Sequence, residues 1–141
     1  MREVKRSALV NRPPADVFAL INDIESYPRF LPWCTHARVL ERSSGHIVAS
    51  IGVRQGALHG EFTTRNELEP DTRVLMQLVS GPFRTLDGEW RLTPVASGCR
   101  VDLTMRFAFA NRLTGVLFEG LFAQTVASLV DAFVARARAL P

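Results

Sequence analysis

Between residues 35 and 109 the chain alternates with a period of two, and beyond Leu113 it changes to the period of a helix. That change constrains the fold: a sheet is laid down first and one long helix must cover it. The alternation is clearest over residues 99–109, where Cys99, Val101, Leu103, Met105, Phe107 and Phe109 interleave with Arg100, Asp102, Thr104, Arg106 and Ala108. Leu86, Gly88, Trp90 and Leu92 interleave likewise with Asp87, Glu89, Arg91 and Thr93. In residues 58–68, Leu58, Phe62 and Leu68 share one face, and His59, Glu61, Thr63, Arg65 and Glu67 share the other. A period of two with one apolar and one polar set means a sheet wetted on one side only. Strands are therefore expected at 3–10, 35–42, 46–54, 57–68, 72–80, 84–96 and 99–109. The connections after residue 42, such as "RQG", "EPD", "SGP" and "ASG", are short enough for an antiparallel meander. In the last segment Phe118, Phe122, Val126, Leu129, Phe133 and Ala137 recur at three- and four-residue steps, marking one face of a helix. At 1.5 Å per residue such a helix is about 40 Å long, enough to lie along a whole curved sheet.

Near the amino terminus, Pro13 and Pro14 pre-set φ for a helix start, and "ADVFALINDI" follows with Val17, Leu20, Ile21 and Ile24 at helical spacing. The residue before a proline is pushed out of the α region, so this helix should end before Pro28. What comes next is unusual for a turn. In "YPRFLPWC", residues 27–34, five of eight residues are aromatic or proline. Tyr27, Phe30, Leu31 and Trp33 thus sit in a connection that Pro28 and Pro32 stiffen.

Composition narrows the class. The 141 residues are 47% hydrophobic and 22% charged, which fits one globular domain over residues 1–141 with a real core. "MREVKRSALV" is too charged for a signal peptide, and residues 113–135 carry Glu119, Gln124 and Asp131, which are costly in a bilayer. A cytoplasmic protein is expected. Cys34 and Cys99 are too few for a disulfide framework, and neither they nor His36, His46 and His59 have metal-ligand spacing. All but one of the 17 basic residues are Arg, yet they form no run. The net charge of +3 is compatible with an RNA or anionic-membrane partner, and no DNA partner is expected.

Strand, helix with a short second turn, six antiparallel strands and a long terminal helix is also the order of the helix-grip fold. The segments "SALV" (7–10), "NDIESYPRFLPWC" (22–34), "FTTRNEL" (62–68), "SGPFRTLDGEWRLTP" (80–94), "CRVDL" (99–103) and "LVDAFVARAR" (129–138) resemble the START-like polyketide cyclase/coenzyme Q-binding family. Within it they resemble the RatA-type ribosome-association toxins and the coenzyme Q-binding START proteins. The resemblance implies an α+β, START-like (Bet v1-like) fold, with a curved sheet of about seven strands wrapped around the last helix. It implies a cavity for a polyprenyl quinone such as ubiquinone, held as a ligand in a carrier or chaperone role supporting respiration, not as a redox cofactor. It further implies a peripheral contact with the inner membrane. For the toxin-named relatives it implies binding to the large ribosomal subunit and a block on subunit association.

The residues themselves define where a ligand would sit. Ile51, Val53, Phe62, Met76, Leu78, Trp90, Met105 and Phe107 are expected on the inner face of the sheet. Phe122, Val126, Leu129 and Phe133 are expected to face them from the helix. These side chains either line an apolar pocket or pack into a solid core. Tyr27, Phe30, Leu31, Trp33 and Phe83 are placed at the rim, "GPF" (81–83) beside "YPRFLPWC". There they act as a lid, with Trp33 near bulk water when the cavity is empty, or as a plug that only covers the end of the sheet. Thr63, Arg65, Glu67, Asp87 and Glu89 form either a ladder of polar pairs on the wet face or a surface for RNA or protein, with Arg65 and Arg84 as contacts. Cys34 has no adjacent base and reads as a buried thiol. The inward positions offer neither a nucleophile–base pair nor a metal set, so no catalytic residue is assigned.

Overall fold

The computed structural model describes residues 1–141. All seven expected strands form: β1 (Arg2–Val10), β2 (Cys34–Arg42), β3 (His46–Gln55), β4 (Leu58–Glu69), β5 (Arg73–Ser80), β6 (Phe83–Val95) and β7 (Gly98–Phe109). They make one antiparallel sheet in the order β1-β7-β6-β5-β4-β3-β2, so every neighbour except β1–β7 is joined by a hairpin. Helix α1 (Pro14–Asn22) begins at the proline pair, and α2 (Arg112–Arg138) is a 27-residue helix. Asn111 caps α2 with its side-chain oxygen, which accepts from the N–H groups of Leu113 and Thr114.

The sheet curls because the ladder is broken at four points, each leaving one residue unpaired: Thr35 and Leu40 on β2, Val79 on β5 and Arg84 on β6. A bulge bends its strand and increases the local twist, which lets the sheet wrap α2. The apolar sets named above turn inward as their spacing requires. Phe107, Leu103, Val101 and Val74 from the sheet and Val126 and Val130 from α2 are all at most 2% exposed. Although α2 is long and apolar enough by composition to cross a membrane, Phe122, Val126, Val130 and Phe133 are buried among core residues.

The α-helix ends before Pro28 as expected, at Asn22, and the short second turn is a 3₁₀ helix, Ile24–Arg29, that takes in Pro28, where the stiff connection was expected to begin. The tighter winding tolerates a proline because few i→i−3 bonds are needed in one short turn. The wet face also differs at Thr63, which is buried, with its hydroxyl 2.6 Å from that of Ser50. The rest of that face behaves as a ladder of polar pairs. Arg65 pairs with Glu67 at 2.7 Å, Arg73 with Glu89 at 3.5 Å and Arg106 with Asp87 at 3.5 Å. Exposed pairs of this kind contribute about 0–1 kcal/mol each. Arg65 is thereby neutralised, whereas Arg84 makes no ion pair.

Candidate ligand cavity

The aromatic side chains divide into two clusters that share no ring. In the first, Phe133 of α2 receives Tyr27, Phe30 and Trp90, each near 5.3 Å and edge-on. In the second, Phe83 meets Phe62, Phe107, Phe109 and Phe122. Phe122 and Phe133 are eleven residues apart on α2, or about 16 Å at the helical rise. "YPRFLPWC" and "GPF" therefore do not form one rim, because each packs against a different stretch of the helix.

A cavity of about 60 Å³ lies at the first cluster. It is bounded by Ile24, Tyr27 and Trp33 on one side, Ala49, Ile51, Phe62, Thr64, Asn66, Met76, Leu86, Trp90 and Met105 on the sheet, and Leu129 and Phe133 on α2. A second cavity, of about 90 Å³, lies at the second cluster and touches Val53, Phe62, Phe83, Phe109, Thr114, Phe118 and Phe122. Phe62 lines both, so its ring is the partition between them. The first cavity is far smaller than the several hundred Å³ common for ligand sites. Its most adaptable walls are Met76 and Met105. A methyl group added at Gly88 would lie only 2.7 Å from the Met105 sulfur and 2.8 Å from the end of Met76, which shows that both thioethers fold down over that glycine. Unbranched thioethers can swing away at little cost.

Of the expected lining residues, Tyr27, Trp33, Ile51, Phe62, Met76, Trp90, Met105, Leu129 and Phe133 surround the first cavity. Val53, Phe83 and Phe122 lie at the second. Phe30, Leu31, Leu78, Phe107 and Val126 line neither. Leu31, Phe107 and Val126 are fully packed core, and Phe30 covers Phe133 with the Arg136 guanidinium 5.2 Å from its ring.

The lid expectation fails at Trp33, which is 7% exposed in the empty protein where a lid would hold it near water. The 3₁₀ helix turns Tyr27 inward, and the Tyr27 hydroxyl donates to the Ile21 carbonyl. The following turn, closed by the Leu31 N–H on the Tyr27 carbonyl at 2.9 Å, drives Leu31 to 1% exposure. The stretch is a plug. Cys34 is buried beside it, and burial pushes its thiol up to about 11, so it is no nucleophile at neutral pH.

Two polar residues on the inner face escape an apolar reading of the strands, although the alternation through Phe62 and Leu68 puts Thr64 and Asn66 there. The Thr64 hydroxyl donates to the Asn66 side-chain oxygen at 2.9 Å. The Thr64 and Asn66 oxygens keep lone pairs that can accept, and the Asn66 NH₂ group can donate. The indole N–H of Trp33, another residue of the lining, is buried and has no partner. An unpaired buried donor costs about 1–3 kcal/mol, and an indole N–H is satisfied only by an acceptor.

The fold also brings together Glu41, Ser43 and His46, which are not adjacent in sequence. His46 Nδ1 is 2.7 Å from the Ser43 hydroxyl and Nε2 is 2.7 Å from Glu41. The Ser43 oxygen accepts from the N–H groups of Gly45 and His46. This arrangement closes the β2–β3 turn and lines no cavity.

The chain belongs to the family described as polyketide cyclase / dehydrase and lipid transport, whose model matches residues 10–134. It is similar to the ribosome association toxin RatA of Vibrio cholerae, with 40% identity over 98% of this chain and 96% of that one. A more distant relative is the mitochondrial coenzyme Q-binding protein coq10 of Schizosaccharomyces pombe, 26% identical over 95% of this chain and 85% of that one. Among solved structures, the Zhui aromatase/cyclase of a Streptomyces species superposes with a TM-score of 0.85 at 19% identity, covering 97% of this chain and 93% of that one. At that identity the likeness concerns the fold alone.

Proposed function

We propose that the protein binds an apolar ligand carrying carbonyl acceptors, a polyprenyl quinone first among them, and carries or shields it without chemical change. The observation behind this reading is a mainly apolar cavity at which the buried indole N–H of Trp33 is left without an acceptor. A quinone has oxygens that accept and nothing that donates. In this reading the quinone ring displaces Met76 and Met105 and occupies the first cavity. The prenyl tail passes the turned Phe62 ring into the second. The lipid-transport description of the family and the name of the yeast relative support a hydrophobic ligand. No converging acid and base face the cavity, which favours binding over catalysis.

Organic extraction of the protein purified from cells, followed by mass spectrometry, should release an isoprenoid quinone or a related carbonyl-bearing lipid. Added short-chain ubiquinone should raise the melting temperature of delipidated protein. Absence of both results would remove the reading.

A second reading is favoured by a different observation, the 40% identity to a ribosome association toxin along nearly the whole chain. Under it the protein binds the large ribosomal subunit. It should then co-sediment with purified large subunits and be released as salt rises, because cations that leave phosphates are replaced by counterions. Failure to sediment at low salt would exclude it. In either role the protein resides in the cytoplasm, meeting the inner membrane from that side.

A further inference from the structure

The first two turns of α2 are apolar on both sides. Inward, Thr114 and Phe118 line the second cavity. Outward, Leu113, Val116 and Leu117, at positions i, i+3 and i+4, are 68%, 78% and 60% exposed. Three large aliphatic side chains left bare on one helical face are unusual for a monomer and mark an interaction site. Nothing in the chain covers them. The β3–β4 turn runs alongside, with Leu121 reaching to 3.8 Å of the position a Gly56 side chain would take.

The nearest cations to this face are unpaired. On the outer sheet Arg65, Arg73, Arg91, Arg100 and Arg106 are each held by a carboxylate. Arg84 and Arg112, which share a shallow depression with Val116, have no anionic partner. Arg84 stands at the β6 bulge, which turns it outward. The only carboxylate in that depression is Glu119, already paired with Arg2 at 3.6 Å. Free guanidinium groups beside exposed aliphatic side chains match the boundary of an anionic bilayer. There, acyl chains receive the apolar face and phosphates receive the cations.

We propose that this face, Leu113, Val116 and Leu117 with Arg84 and Arg112, docks the protein on an anionic phospholipid surface and places the mouth of the second cavity against the membrane. Its purpose rests on the ligand reading, since a tail-out ligand would leave or enter there. Its evidence does not, and vesicles without quinone test it separately.

Sedimentation with vesicles of phosphatidylcholine alone, and of phosphatidylcholine mixed with phosphatidylglycerol, reads the docking directly. Binding is expected to the mixed vesicles and to weaken with salt. Leu117→Asp should lower it tenfold or more, and Arg84→Ser or Arg112→Ser about fivefold each, the factor for about 1 kcal/mol per charge near an anionic surface. Leu9→Asp, at an equally exposed leucine towards the far end of β1, should change nothing. All four positions are exposed, so melting temperatures should stay unchanged. No binding to mixed vesicles, or binding that survives Leu117→Asp, overturns the proposal. Concentration-dependent dimerisation that Leu117→Asp abolishes, without vesicle binding, would assign the face to a second copy of the chain and overturn it as well.

Discussion

A Phe133→Ala variant should be about 3–5 kcal/mol less stable than the parent, the cost of truncating a buried aromatic. Phe133 is 2% exposed and is the shared partner of Tyr27, Phe30 and Trp90. It joins α2, the 3₁₀ helix and β6 at one point, so its removal costs the transferred ring, three edge-to-face contacts and the void left behind. At about 2.1 cal/mol/K of unfolding entropy per residue, the melting temperature should drop by roughly 10–17 °C. Phe133→Leu keeps most of the volume and should cost under about 1.5 kcal/mol. Denaturant unfolding of both variants checks this. Equal losses would mean that bulk alone restores nothing and that the ring itself carries the stability.

Leu31→Ala should be the second large loss, about 2–5 kcal/mol, with any ligand affinity of the folded fraction kept. The side chain is 1% exposed and lines no cavity, so it stabilises the plug without touching what the cavity holds. Trp33→Ala should combine both effects, since Trp33 belongs to the plug and to the cavity wall. A Leu31→Ala protein with an unchanged melting temperature and a lost ligand would restore the lid.

The fold was legible because its two periods are pure. Strand alternation through β6 and β7 and the three- and four-residue steps of α2 each leave one arrangement that buries the apolar set. The proline pair at 13–14 likewise marks the start of α1. "YPRFLPWC" was misleading for a physical reason. Pro28 ends an α-helix, but a 3₁₀ turn accepts it, and that turn reverses which way Tyr27 and Leu31 point. A sequence shows that the aromatics are there without showing the winding that aims them. The division of Phe62, Phe83 and Phe122 from Tyr27, Trp90 and Phe133 was equally hidden, since it depends on how far along α2 each strand crosses. Thr64 and Asn66 were within reach: continuing the alternation from Phe62 to Leu68 places both inward. They were overshadowed by the aliphatic and aromatic residues around them. That the Trp33 indole N–H is left unpaired needed side-chain coordinates.

Titration with a short-chain ubiquinone of the parent protein, Trp33→Phe and Asn66→Leu tests the central claim most directly. Trp33→Phe deletes the indole N–H while keeping an aromatic ring, and Asn66→Leu deletes the amide while keeping much of its volume. The parent should bind the quinone, and each variant, still folded, should bind it up to about tenfold more weakly. No binding by the parent, or affinity unchanged in both variants, would contradict the claim.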